Sequence, residues 1–287
     1  MSELVLFHDA DGCLNPTDGH PLSYTGDALT GSQQQRLREL GEIIDASPIS
    51  HFVLNTGRSW EATTFLCDAM ECQKLAFAVV EHGAELWDVP NRRAVDLDAI
   101  AKHSAIEGLR EALASRHYVA ELLDWYHQTG ANELCERFDY SEPLDRTLDK
   151  SWNLTVSVPD ELDSDAVFEH LQRLVEGHES LSQASFTYHH SRWNRFIDVM
   201  STMDKGIGVA LVMEHLGIDA SLSAAVGDGL NDVSMLERVG TPVCPANAES
   251  RVVELCRTHG YASRRDYIDA TIDWIAVTYR VPLADNH

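Results

Sequence analysis

The stretch Leu4-Val5-Leu6-Phe7-His8-Asp9-Ala10-Asp11-Gly12 constrains this chain more than any other. Four apolar residues in a row predict a short buried strand, far too short to cross a membrane. The strand runs out into two carboxylates flanking one small residue, followed by a glycine able to turn the backbone. Open, mostly parallel sheets bind ligands just beyond the carboxyl ends of their strands, and in such a sheet Asp9 and Asp11 stand where a substrate would be held. Two carboxylates ~4 Å apart repel by about 4 kcal/mol at an effective dielectric near 20, so either a cation sits there or one of them carries a proton. Taken alone, the pattern is also that of an Asp-Gly turn closing a strand. Three later stretches decide between the readings.

Residues 15–26, rich in Asn, Pro, Thr, Asp and Gly, predict a loop. Residues 32–46 place Leu37, Leu40, Ile43 and Ile44 at helical spacing. His51-Phe52-Val53-Leu54 predicts a second strand that runs directly into Asn55-Thr56-Gly57-Arg58. A helix over residues 60–70 and a third strand over 76–80 follow, the latter ending in Glu81-His82-Gly83-Ala84. Strand and helix in alternation imply a parallel sheet.

The pattern then changes. Residues 85–88 and 93–96 predict a hairpin, 99–115 one helix, 152–158 a half-buried strand, 164–176 an amphipathic helix, and 183–189 and 196–200 two more strands; residues 121–150 carry no assignable period. Residues 85–195 are therefore read as a module inserted into the first domain, which comprises residues 1–84 and 196–287. From Met203 the alternation returns: Asp204 caps a helix with Lys205 in its first turn, and Gly217 closes it. Residues 223–226 predict a strand leading to Gly227-Asp228-Gly229-Leu230-Asn231-Asp232, and 241–244 a last strand. Helices over 248–256 and 265–279 end the chain, the final one expected on the outside.

Composition excludes some partners. Acidic residues number 46 against 22 Lys plus Arg, a formal net charge of -24. Such a surface repels nucleic acid and anionic membranes, and any site for an anion must bring its own cations. Six cysteines are scattered without a metal-finger or disulfide-framework spacing. No apolar run approaches a membrane span and no leader pattern opens the chain, so the cytoplasm is the expected compartment and a monomer or homodimer the expected state.

Asp9-Ala10-Asp11-Gly12, Asn55-Thr56-Gly57-Arg58, Lys205 at a helix start and Gly227-Asp228-Gly229-Leu230-Asn231-Asp232 occur in that order. Together they resemble the haloacid-dehalogenase superfamily of phosphohydrolases, and within it the Cof-type sugar-phosphatase branch. The resemblance covers the two outer segments, more than half of the chain, and extends to the insert in position only. It implies an α/β fold, with a Rossmann-like parallel-sheet core and an inserted α+β cap domain that sets substrate specificity.

The chemistry implied is hydrolysis of a phosphate monoester, a reaction that enzymes accelerate by up to about 10²¹-fold. Asp9 would be the nucleophile, splitting the reaction into two displacements through an aspartyl-phosphate. Asp11 would protonate the leaving oxygen and then deprotonate water. Thr56 would supply a hydroxyl and a backbone N–H, and Lys205 a compact positive charge. Asp228 would join Asp9 and the backbone carbonyl of Asp11 around Mg²⁺, a hard cation that prefers oxygen. Asp232 would hold the metal's waters or Lys205, with Asn231 behind them.

Gly57 and Arg58 would meet the phosphate or a substrate anion, though an ordinary surface arginine fits Arg58 as well. Arg192 and Arg195, within His189-His190-Ser191-Arg192-Trp193-Asn194-Arg195, would bind the leaving group; a solvated turn is the alternative. His82 stands where the branch has Asn, and Cys13 where Thr is commoner, the latter read as a packing variation. Asn247-Ala248 fits either the branch pattern or a helix cap. The substrate expected is a small phosphorylated metabolite, a sugar phosphate or glycosyl-glycerate phosphate. A phosphotransferase or mutase on the same fold, or a sensor that binds phosphorylated ligands without turnover, are the alternatives.

Overall fold

A computed structural model describes residues 3–15, 29–142, 144, 150–191 and 195–282. The expected loop over 15–26 lies, beyond Asn15, outside the described residues, as does Arg192. The chain divides into two compact units, residues 1–106 with 204–287 and residues 107–203.

The first unit opens with β1 (Val5–His8), α1 (Gly31–Ala46), β2 (His51–Asn55), α2 (Glu61–Met70), β3 (Leu75–Val80), β4 (Glu85–Asp88), β5 (Arg93–Ala94) and α3 (Leu97–His103). The second holds α4 (Leu109–Ala114), α5 (Arg116–Trp125), α6 (Ala131–Phe138), β6 (Asn153–Ser157), α7 (Ser164–Gly177), β7 (Thr187–Ser191) and β8 (Phe196–Met200). The first then resumes with α8 (Lys205–Leu216), β9 (Ser223–Val226), α9 (Val233–Leu236), β10 (Thr241–Cys244), α10 (Ser250–His259), β11 (Tyr261–Ala262) and α11 (Tyr267–Tyr279).

The sheet of the first unit runs β11-β10-β9-β1-β2-β3-β4-β5. From β11 to β3 every pairing is parallel, and β4 and β5 are added antiparallel. β1 is flanked by β2 and β9 in matching register, His8 opposite both Leu54 and Val226. The strands on either side thus end level with Asp9.

Alternation sorts the strand residues by face. Leu6, Phe52, Leu54, Ala78 and Val226 pack with Leu37, Leu40 and Ile44 of α1, Leu66 and Met70 of α2, and Ile268, Ile272 and Ile275 of α11. A fully buried aliphatic side chain contributes about 1.5–3 kcal/mol over an exposed one, so α11 is part of this core rather than an outer layer as the sequence suggested. α8 lies against β2 and β3 on the other face.

In the second unit β6-β8-β7 form an antiparallel sheet. Leu154, Val156, Ile197 and Val199 of one face meet Leu122, Tyr126, Leu134, Val167, Leu171 and Val175 of the helices. The register puts Thr155 and His189 on either side of Asp198, on the other face.

Three boundaries differ from the sequence reading. The hairpin of β4 and β5, which the sequence pattern places in the insert, extends the first sheet, because Glu85–Asp88 pairs along Phe77–Val80. β8, which the sequence pattern places in the core, is the central strand of the insert's own sheet. The single helix expected over 99–115 is broken where Ser104 is extended and Gly108 is left-handed, giving α3 and α4.

Candidate active site

The carboxyl ends of β1, β2 and β9 bring three of the sequence stretches together. The Asp9 N–H donates to the Val226 carbonyl at 3.0 Å and extends the β1–β9 ladder by one residue. Oδ1 of Asp9 accepts from the Ala10 N–H at 2.7 Å and lies 2.7 Å from Nζ of Lys205. Among the described residues no donor sits on Oδ2.

Lys205 is the first residue of α8, where a cation opposes the helix dipole. Its side chain is 1% exposed, and Nζ reaches Oδ1 of Asp232 at 2.5 Å as well as Asp9. Asn55, at the end of β2, donates through Nδ2 to the Lys205 carbonyl at 2.9 Å and so ties the start of α8 to the sheet. Oδ2 of Asp232 accepts the N–H groups of Asp228 and Gly229, both at 2.9 Å. Asp232 therefore holds Lys205 on one oxygen and the turn carrying Asp228 on the other. Asn231 is half-buried beside Gly229, its Oδ1 against the glycine.

Gly12 has φ +82, and a Cβ there would lie 2.1 Å from Oδ2 of Asp228. Only glycine lets this turn approach the Asp228 carboxylate. Asn247 donates to the Gly12 carbonyl at 2.9 Å and accepts from the Tyr267 N–H at 2.8 Å; it braces this turn and does not cap α10.

Thr56 is fully buried at the end of β2. Its N–H, expected to serve the substrate, instead donates to the Val79 carbonyl at 2.9 Å as a sheet ladder requires. The hydroxyl oxygen accepts from the Arg58 N–H at 3.2 Å. Gly57 faces the buried His82 ring, which leaves no room for a Cβ. His82 thus braces this turn: its N–H donates to the Thr56 carbonyl at 3.1 Å.

Arg58 is 1% exposed and gives Nε to Oδ2 of Asp11 at 2.8 Å and Nη2 to Oδ1 at 2.6 Å. Expected to meet a substrate anion, it holds Asp11 instead. Arg195 is likewise turned inward, its guanidinium donating to the carbonyls of Val158, Pro159 and Leu162 and pairing with Asp160. In the same unit Asp198 lies 2.5 Å from the Thr155 hydroxyl, 3.4 Å from Nζ of Lys150 and 3.7 Å from Nδ1 of His189.

Burial, with the charge of Asp232, pushes the Asp9 carboxyl up to about 8, although Lys205 pulls it down. Burial and the charges of Asp232 and Asp9 drive Asp228 in the same direction. Burial disfavours the Lys205 ammonium, but Asp232 and Asp9 outweigh that and keep it charged. Asp9 and Asp232 share one ammonium, and Asp228 stands beside Asp9, so three carboxylates in their charged form face one positive charge. A divalent cation meets that deficit, and oxygen donors from Asp9 and Asp228 suit a hard ion. Ligand atoms of Asp9, Asp228 and Cys13 all lie within 4.8 Å of one another. The residues present fit Mg²⁺.

His8 is fully buried. Its Nδ1 lies 2.6 Å from the Asp9 carbonyl and Nε2 2.8 Å from the Thr271 hydroxyl. Its signal in the sequence is a polar residue at the end of an otherwise apolar buried strand.

A parallel sheet with carboxylates and a buried lysine gathered at its carboxyl edge defines a hydrolase of the haloacid-dehalogenase type. The chain belongs to that family: residues 7–261 match haloacid dehalogenase-like hydrolases. It is 46% identical over 50 residues to a phosphoglycolate phosphatase of Methanopyrus kandleri, covering 17% of this chain and 22% of that protein. It is 28% identical over 205 residues to the 5-amino-6-(5-phospho-D-ribitylamino)uracil phosphatase of Escherichia coli, covering 71% of this chain and 66% of that one. The chain thus spans under two thirds of these relatives' lengths. The fold is shared with the sucrose-phosphatase of a Synechocystis species, solved with sucrose and phosphate, at 16% identity and a TM-score of 0.62 over 96% of this chain and 98% of that one. No helix among the described residues is long and apolar enough to cross a membrane.

Proposed function

We propose that the chain is a Mg²⁺-dependent phosphatase that releases phosphate from a small phosphorylated metabolite, a sugar phosphate or glycosyl-glycerate phosphate, through an aspartyl-phosphate. The observation that carries this reading is the contact of Asp9 and Asp232 with the Lys205 ammonium, with the Asp228 carboxylate beside that of Asp9. Phosphatase names among the relatives support it.

Oδ2 of Asp9 attacks phosphorus as the ester oxygen leaves, and Asp11 gives that oxygen a proton. Asp11 then takes a proton from water, whose oxygen attacks the phosphoryl group and releases Asp9. Lys205 and the Thr56 hydroxyl face the charge spread over the phosphoryl oxygens. Mg²⁺, held by Asp9, the Asp11 carbonyl and Asp228, would supply positive charge opposite the same oxygens. Residues 107–203 carry leaving-group specificity in this reading. The cytoplasm is its compartment, consistent with the six free cysteines.

Phosphate release from a panel of phosphorylated metabolites tests the proposal. Release with Mg²⁺, lost on chelation and in Asp9→Asn, is expected. Release that persists in a folded Asp9→Asn refutes the nucleophile, and release only in the presence of an acceptor hydroxyl favours a phosphotransferase.

A further inference from the structure

Cys13, read in the sequence as a packing variation, does pack in the buried core of the first unit, and it also borders the site. It is fully buried in the turn after β1, where its N–H and that of Leu14 both donate to the Ala10 carbonyl, at 3.3 and 2.8 Å. That turn aims the side chain across the strand end, and the thiol donates to Oδ1 of Asp228 at 3.6 Å. Sγ, a carboxylate oxygen of Asp9 and one of Asp228 lie within 4.8 Å of one another. Bonds to zinc of about 2.3 Å from sulfur and about 2.1 Å from oxygen put two ligands at most about 4.4 Å apart, so a small closing movement lets one ion touch all three. The other five cysteines take no part in this cluster.

Sulfur and oxygen select different ions. Mg²⁺ takes oxygen ligands and keeps its waters, so beside it the thiol retains its proton. Thiolate selects softer ions such as zinc. We propose that Cys13 gives this site a second, thiophilic mode, in which Zn²⁺ or Cd²⁺ is held by Asp9, Asp228 and the Cys13 sulfur and excludes Mg²⁺. The inference rests on the reading that Asp9 and Asp228 hold a divalent cation. On binding, the S–H bond breaks, its proton goes to solvent water and a sulfur–metal bond forms; no electron changes hands. The consequence is an enzyme stopped by thiophilic ions at concentrations well below those at which Mg²⁺ supports it.

The test is X-ray absorption by the full chain, stripped with chelator and loaded with one equivalent of Zn²⁺. One sulfur at about 2.3 Å among oxygen neighbours is expected, and excess Mg²⁺ should displace that ion. With Cd²⁺ in place of Zn²⁺, an ultraviolet sulfur-to-metal band should saturate at one ion per chain and vanish in Cys13→Ser. An ion that Mg²⁺ displaces but that shows no sulfur neighbour overturns the proposal and leaves the cation site standing. A sulfur neighbour or a band that survives in Cys13→Ser puts the ion on another cysteine and also overturns it. Displacement unchanged in Asp228→Ala refutes instead the reading underneath. The zinc spectrum is taken on the natural chain, so it decides even if the variant fails to fold.

Discussion

Both carboxylate oxygens of Asp11 are gripped by the Arg58 guanidinium, Nε to Oδ2 at 2.8 Å and Nη2 to Oδ1 at 2.6 Å. A planar fork that matches a carboxylate is something lysine cannot reproduce. If Arg58 positions Asp11, Arg58→Lys keeps the charge, loses the geometry, and lowers kcat about tenfold or more with little change in KM. A raised KM at unchanged kcat would return Arg58 to substrate binding. Removing one partner of a buried ion pair costs about 3–5 kcal/mol. Asp11 is 28% exposed and recovers some solvation, so Arg58→Ala should cost about 2–3 kcal/mol in denaturant unfolding.

The uncompensated carboxylates give the metal-free protein a definite pH dependence. Folded Asp9 keeps its proton up to about 8, whereas the unfolded carboxyl loses it near 3.8, so its contribution to stability falls as pH rises between those values. His8 acts oppositely over part of the range: burial lowers it from 6.5 to about 4, so the unfolded chain binds the proton and stability rises with pH between 4 and 6.5. Above pH 6.5 the carboxylate effect stands unopposed by His8. The unfolding midpoint of chelated protein should fall from pH 6.5 to 8, and saturating Mg²⁺ should abolish that fall. A flat profile in chelator refutes the charge deficit.

Gly12→Ala tests the approach of the turn to Asp228. The added Cβ would meet the carboxylate at 2.1 Å in a backbone with φ +82. Left-handed geometry costs a residue with a Cβ about 1–2 kcal/mol, which a folded core of this size tolerates. The larger effect is on Asp228, which must move. The Mg²⁺ concentration for half-maximal phosphate release should rise about tenfold or more, the equivalent of about 1.4 kcal/mol. An unchanged Mg²⁺ requirement would remove Asp228 from the metal site.

How much of this was legible in the sequence differs between the motifs and their surroundings. The order of Asp9, Thr56, Lys205 and Asp228 carried the fold and the meeting of the motifs, because each stands at a strand end or helix start that hydrophobic patterning locates. The partners of individual side chains were not legible. Arg58 and Arg195 look alike as exposed donors in a string of letters, and only the packing shows the first on Asp11 and the second on the loop around Pro159. The hairpin after β3 was misplaced because edge pairing with Phe77–Val80 leaves no periodic signature. Residues 121–150 resisted assignment because α5 passes through a wider turn at Tyr126–Gly130 before α6, which shifts the helical phase.

The link from α11 to Asp9 yields the last prediction. The Asp9 carbonyl can only accept, so Nδ1 of His8, 2.6 Å away, carries the hydrogen. Burial keeps the ring neutral above about 4, and Nε2 then accepts from the Thr271 hydroxyl at 2.8 Å. Thr271→Val keeps the shape but leaves Nε2 buried without its donor, at a cost of about 1–3 kcal/mol. The denaturant midpoint should drop accordingly. Because Nδ1 anchors the backbone of the nucleophile, kcat should fall with it at fixed KM. Thr271→Ser restores the hydroxyl and should recover both. If serine is as damaging as valine, the methyl group packed in the core is what matters, and His8 does not couple α11 to Asp9.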